Sequence, residues 1–334
     1  MNIHEPEQQG PFHALTPDRV LSLVEGALGR RCVNLCRPLN SYINRVYELE
    51  DEDGRGLIVK FYRPGRWSRQ GLQDEHDFLL ELADQEVPVI APLSMRNGST
   101  LGSDGHLFFT VFPKKGGRLV DEYSDGQWLE LGRLIGRVHM VGAARSPADR
   151  PLLVPGQTTR AQVDYLVGGG FIPSDLIGSF SSLAARLIDE TGPLFEDAEL
   201  IRIHGDCHSA NLIYRPDESF FLVDLDDMVV GPPVQDIWML LPGEPEEASV
   251  ELDIFLEGYE TFRMFDRRSL RLIEPLRAMR FIHYAAWCAR QVAEDGQAPV
   301  MMNFGTREYW EVEIRDLADQ LERIVSMLRP SGNM

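Results

Sequence analysis

The sequence predicts an α+β fold, a small antiparallel sheet first and a mainly helical part after it. Three observations predict this. Residues 32–39, 45–50 and 56–62 read as consecutive strands, the last two joined by the tight turn Asp51-Glu52-Asp53-Gly54. Beyond residue 115 helical periodicity takes over, as in 127–141 with Leu131, Leu134, Ile135 and Val138 on one face. Strand-like runs in that later part, 200–204 and 220–224, are short and isolated among helices.

The elements follow in order. Residues 1–16 read as a loose lead-in. Thr16-Pro17-Asp18 then supplies an N-cap with proline at the first helical position, and Val20, Leu21, Val24 and Leu28 follow at helical spacing. After the three strands comes a helix over 68–84, with Leu72, Phe78, Leu79 and Leu82 apolar. Residues 87–92, 100–101 and 107–112 read as further strands. Together these make a small lobe, 1–115. In the remainder, 116–334, residues 151–170 read as irregular, and helices are expected at 173–190, 245–264, 269–294 and 306–328.

The chain has 334 residues, enough for one large domain or two lobes with a sizeable core. Its 33 basic and 52 acidic residues give a formal net charge of −19, a field that repels nucleic acid and anionic membranes. No apolar run is long enough to span a bilayer, and Met1 to Gly10 lacks the pattern of a signal peptide, so a cytoplasmic protein is expected. Cys32, Cys36, Cys207 and Cys288 form no C-x-x-C pair, which argues against a zinc site or a disulfide framework. Lysine is scarce: only Lys60, Lys114 and Lys115 occur, and Lys60 alone sits inside an apolar strand.

The chemistry gathers in one segment. Residues 201–214 read as an apolar strand, then His204-Gly205-Asp206, four residues, Asn211 and a second apolar strand. The protein-kinase catalytic loop H-R-D-x-x-x-x-N separates its Asp and Asn in the same way. Such a loop needs one carboxylate to accept a hydroxyl proton and a neutral amide oxygen to help hold Mg2+. Asp206 is therefore the candidate base and Asn211 a candidate metal ligand. Thirteen residues after Asn211, the run Phe220-Phe221-Leu222-Val223 delivers Asp224, placed as the metal-binding Asp of D-F-G would be, although Phe-Gly is missing. Upstream, Leu57-Ile58-Val59-Lys60 resembles V-A-I-K, so Lys60 is the candidate phosphate-binding ammonium. Glu75, early in the next helix, is its natural partner in preference to Asp74. The glycine-rich loop is absent, and residues 39–45 contain no glycine. Ser41 and the neighbouring peptide N–H groups are the phosphate donors left there.

H-G-D-x-H-x-x-N followed by an apolar strand and an acidic cluster resembles the aminoglycoside phosphotransferase and choline kinase group. More closely, the stretches at 39–47, 59–64, 204–211, 223–227, 235–241 and 273–280 resemble the bacterial stress response kinase A family, over residues 15 to 310. This resemblance implies a bilobal protein-kinase-like fold. It also implies Ser/Thr protein kinase activity in stress response, with ATP as co-substrate and a proton acceptor at Asp206. Magnesium is implied at Asn211 and Asp224, and an ATP contact at Ser41, which is also a candidate for phosphorylation. A monomer is expected, with ATP and a protein or small alcohol as partners and neither nucleic acid nor membrane.

Other readings compete. His204, Asp206 and His208 could mark a metallohydrolase, but no further ligands are signalled. Asp224-Leu225-Asp226 mimics the D-x-D of dehalogenase-type phosphatases, yet no lysine follows residue 115. A pseudokinase scaffold is disfavoured because lysine, base and both metal ligands are present. Asp236 is expected to anchor the catalytic loop by hydrogen bonds. A small-molecule kinase shares the chemistry of a protein kinase, so the motifs do not separate the two.

Overall fold

The small sheet is built from five short segments, the second and third joined by a tight turn and the third and fourth separated by a helix. A computed structural model describes residues 12–216, 218–243, 247–296 and 298–328. The reading of residues 1–10 as a polar start without a signal peptide, most of the lead-in, and the expected helix start at Pro245 lie outside the described residues. Helix α1 (Pro17–Leu28) is capped by Thr16, whose side chain accepts from the Arg19 N–H, and ends at Gly29 in the left-handed conformation. Strands β1 (Cys32–Leu39), β2 (Arg45–Asp51) and β3 (Gly56–Phe61) follow. Helix α2 (Arg69–Asp84) has Ser68 as its cap, and β4 (Gly102–Asp104) and β5 (Leu107–Pro113) complete the sheet. The strand order is β1-β2-β3-β5-β4 with every pair antiparallel, which bears out the predicted α+β class. One face buries Leu49, Leu57, Val59, Phe61, Phe109 and Val111 together with Val20 and Val24 of α1.

Two compact units divide the chain. The first comprises the described residues of Met1–Arg150, Asp206–Met228 and Leu240–Met264, and the second those of Pro151–Gly205, Val229–Met239 and Phe265–Met334. Besides the sheet, the first unit holds α3 (Asp125–Gly142), the hairpin of β7 (Leu212–Tyr214) and β8 (Phe220–Leu222), and α7 (Ser249–Glu260). Helices α3 and α7 meet at glycines: a Cβ on Gly132 would lie 1.9 Å from the Phe255 carbonyl oxygen, and one on Gly258 would lie 2.1 Å from that of Leu129. Only a missing side chain permits that approach.

The second unit is built from α4 (Arg160–Gly168), α5 (Ile177–Thr191), α8 (Ile273–Asp295) and α9 (Arg307–Leu328), with the short α6 (Val234–Trp238). It also holds the two-stranded pair of β6 (Ile201–Ile203) and β9 (Val229–Gly231). Its core gathers Phe180, Leu187, Ile282, Ala286, Trp310 and Leu321.

Several sequence expectations are corrected. Residues 87–92 form no strand. Pro88 and Pro92 remove ladder donors, and only Val89 makes a bridge, to Leu222. The strand expected at 100–101 falls at Gly102–Asp104. Residues 151–170, read as irregular, contain a π-turn at Pro155–Thr159 and then α4. The helix expected from 269 begins as a 3-10 turn (Arg267–Leu272) before α8.

Candidate active site

Lys60 stands near the end of β3, paired with Thr110 of β5 and Val46 of β2, and is buried. A lysine survives there because carboxylates surround it. Its Nζ lies 2.8 Å from Asp224 Oδ1, 3.3 Å from Asp226 Oδ1 and 3.9 Å from Glu75 Oε1. Burial alone would lower its pKa, but Asp224, Asp226 and Glu75 outweigh burial and hold it above the ordinary lysine value.

Glu75 projects from the second turn of α2 and is fully buried. Burial pushes its carboxyl up to about 7, against the pull of Lys60 and Arg150. Its Oε2 lies 3.3 Å from the Arg150 guanidinium, and Tyr62 donates to its Oε1 at 3.3 Å. The same hydroxyl lies 2.9 Å from His76 Nε2, while His76 Nδ1 lies 2.8 Å from Thr100 Oγ1. Asp74, the alternative to Glu75, is occupied elsewhere: it accepts the Asp149 N–H at 2.6 Å.

The backbone of His204 and Gly205 is held by Asp236. In the second unit, Asp236 is fully buried and accepts the backbone N–H of His204 at 2.7 Å and of Gly205 at 2.8 Å. Gln235 donates to the Gly205 carbonyl at 3.0 Å. Gly205 has φ +86, a turn that a side chain would strain, and the next residue is Asp206. Asp236, expected to act through hydrogen bonds, thus bonds His204 and Gly205.

In the first unit, the Asp206 carbonyl accepts from the side chain of Asn211 at 2.9 Å and from the His208 N–H at 3.1 Å. The Asp206 carboxylate lies 3.3 Å from His208 Nε2. The Asn211 carbonyl in turn accepts the N–H of Val223 at 3.0 Å, so the peptide before Asp224 is tied to Asn211. Asp224 itself adopts φ 59, ψ 64, a left-handed conformation that a non-glycine residue takes at a cost of about 1 kcal/mol. Its side chain is 56% exposed.

The structure thus brings Lys60, Glu75 and Asp224 into contact and joins Asp206, Asn211 and Val223 by hydrogen bonds. Ser41 lies in the connection between β1 and β2, and its hydroxyl has no partner among the described residues. Among those residues no group of three or more His, Cys, Asp or Glu side chains is placed to hold a metal ion. What exists is a smaller donor set. Asn211 donates through its amide nitrogen, so its amide oxygen is the end that would face an ion, and Asp224 offers a half-exposed carboxylate. Two oxygen donors suit an ion that arrives with phosphate and water ligands of its own.

Sequence reasoning missed two arginines. Arg150, fully buried, donates to the carbonyls of Gly71 (2.8 Å), Asp226 (2.7 Å) and Met228 (3.2 Å), and lies over the Trp67 ring at 4.2 Å. Arg66 bonds Asp226 and also Asp227, the latter at 2.5 Å. Burial works against ionised Asp226, but Arg66, Lys60 and Arg150 hold its carboxyl well below the usual range. No local periodicity marks either arginine. The one available signal was Asp226-Asp227 itself, two adjacent acids after an apolar strand that need cations if they are not solvated.

Comparison with known proteins places these features in context. The sequence model of the phosphotransferase enzyme family (APH) matches residues 35–273. Stress response kinase A of Escherichia coli (strain K12) is 38% identical over 321 residues, covering 96% of this chain and 95% of the relative. The serine/threonine protein kinase RdoA of Salmonella typhimurium (strain LT2) is 37% identical over 284 residues, covering 85% and 86%. Among solved structures, the amicoumacin kinase hAmiN in complex with AMP-PNP, Ca2+ and Ami superposes with a TM-score of 0.72 at 20% identity, over 93% of each chain.

Proposed function

The chain belongs to the phosphotransferase enzyme family, alongside its stress response kinase A relatives, and from that premise we propose that it transfers the terminal phosphoryl group of ATP to Ser/Thr hydroxyls of a protein. Membership bears out the resemblance read from residues 39–47, 204–211 and 273–280. The observation that carries the phosphoryl-transfer reading is the contact of Lys60 with Asp224, beside an Asn211 whose own peptide bonds the residue before Asp224.

Each residue has a role in this reading. Asp206 accepts the proton of the acceptor hydroxyl as its oxygen attacks phosphorus. Lys60 moves its ammonium from Asp224 to the α/β phosphates, and Glu75 keeps it oriented. Ser41 and adjacent peptide N–H groups contact the phosphates from the connection between β1 and β2. Asn211 and Asp224 would hold Mg2+, which, when bound, neutralises charge on the phosphate oxygens. Residues 1–115 form the nucleotide-binding lobe and 116–334 the catalytic and substrate lobe of a cytoplasmic, monomeric enzyme acting in stress response. The protein acceptor is supported by the relatives' names, stress response kinase A and serine/threonine protein kinase.

A second reading, a small-molecule kinase, is favoured by the likeness of fold to the amicoumacin kinase. One experiment separates the two. Purified protein is incubated with labelled ATP and Mg2+, against a generic basic protein and against a panel of small alcohols and amino-sugars. Label on Ser or Thr of the protein supports the first reading. Label confined to a small alcohol overturns it in favour of the second.

A further inference from the structure

The connection between β1 and β2 lacks the glycines of a phosphate-binding loop, yet side chains tie it down. Asn44 is buried; it accepts the Arg63 N–H at 3.1 Å and donates to Asp226 Oδ2 at 3.3 Å. Arg63 Nε donates to the Ile43 carbonyl at 2.8 Å. Asp226 also receives one nitrogen of Arg66, whose other nitrogen reaches Asp227. The second oxygen of Asp226, Oδ1, is buried and makes no hydrogen bond among the described residues, and its charged neighbour is Lys60 at 3.3 Å. One buried carboxylate therefore joins the β1–β2 connection, the strand lysine and the segment after Asp224.

The distances rank the carboxylates around Lys60. Asp224 is nearest but half exposed, and phosphoryl transfer asks it to hold a metal ion instead. Once it turns away, the lysine needs a permanent counter-charge, and Asp226 at 3.3 Å is closer than Glu75 at 3.9 Å. A buried ammonium left without a partner would be costly.

We propose that Asp226 is a positioning residue: gripped by Arg66 and Asn44, it holds the Lys60 ammonium and the β1–β2 connection in one arrangement, so that the two phosphate-contacting parts act as a unit. A side-chain latch thus stands where other nucleotide loops rely on glycine. The inference rests on the phosphoryl-transfer reading above.

The test uses the full chain, a non-hydrolysable ATP analogue with Mg2+, and calorimetry alongside thermal melts. Asn44→Ala is expected to weaken the analogue about fivefold and Asp226→Asn about tenfold or more, the double variant being no weaker than Asp226→Asn alone. Arg66→Lys, which keeps the charge but cannot span two carboxylates, is expected to weaken it as well. Melting temperatures near wild type tie these losses to nucleotide contact. Should Asp226→Asn fail to fold, Asn44→Ala decides by itself. Wild-type affinity in Asn44→Ala, or losses that multiply in the double variant, overturns the inference alone. A wild-type chain that binds no analogue overturns the phosphoryl-transfer reading and this inference together.

Discussion

The Nζ of Lys60 lies 2.8 Å from Oδ1 of Asp224, a contact between residues 164 positions apart in sequence. It joins the sheet to the segment after β8 and pulls the left-handed Asp224 toward the lysine. The first consequence concerns energetic coupling. Lys60→Ala should lower kcat by about a hundredfold or more, and Glu75→Ala by less. Because Glu75 acts through Lys60, the double variant should be little worse than Lys60→Ala. Rates that fall by the product of the single effects would show that the pair does not act as one.

Asp224 and Asn211 should behave as a single ion site. Asp224→Ala should shift the Mg2+ activation curve to higher concentration and weaken nucleotide binding, because the proposed ion would lose one of the two side chains that would hold it. Superimposable activation curves for variant and wild type would remove Asp224 from the ligand set.

The segment after Asp224 carries a prediction about control. Eleven residues separate Asp224 from Asp236, none of them Ser, Thr or Tyr, and Arg66 already pairs with their two acids, Asp226 and Asp227. In many protein kinases a phosphorylated residue supplies such pairing. Here Arg66 and Arg150 already order the segment, so freshly purified and phosphatase-treated enzyme should have equal activity. Activity lost with phosphate and regained on rephosphorylation would place a switch elsewhere, with Ser41 the first position to examine. Ser41→Ala should raise the KM for ATP through its proposed phosphate contact.

His76 makes acid sensitivity legible. Burial, reinforced by Lys60 and Arg150, lowers its pKa to about 3. The unfolded chain takes up a proton near pH 6.5 and the native state does not, so stability is complete above that pH and falls as pH drops toward about 3. The loss is on the order of 5 kcal/mol across that range. His76→Gln, which can still bond Tyr62 and Thr100, should flatten the fall in melting temperature between pH 6.5 and 5. An unchanged slope would mean that His76 titrates alike in both states.

What the sequence disclosed follows from the range of each signal. The lysine strand, the H-G-D loop with Asn211, and the strand ending before Asp224 are local patterns, and all three sit in the elements expected of them. The helix expected over 68–84 is α2, Arg69–Asp84. Residues 87–92 misled because their alternation of Val and Ile outweighed two prolines. Helix α4 was hidden because Gly156 and the Gly168-Gly169-Gly170 run gave a low helical signal around a nine-residue helix. Arg150 was invisible for another reason. Its partners Glu75, Gly71, Asp226 and Met228 are 75 to 79 residues away, and nothing in one arginine's neighbours announces such contacts. Asn44 stood inside a quoted motif, but its bond to Asp226 spans 182 residues and only coordinates reveal it.

The central claim is that Asp206 is the base of a phosphoryl transfer. The most direct measurement compares Asp206→Asn with wild type for turnover with ATP and Mg2+ and for nucleotide affinity. The substitution keeps the side chain's shape and leaves the Asp206 carbonyl to hold Asn211, so folding and nucleotide binding should persist. Turnover should fall by about a hundredfold or more. Near-normal turnover in the variant would contradict the account.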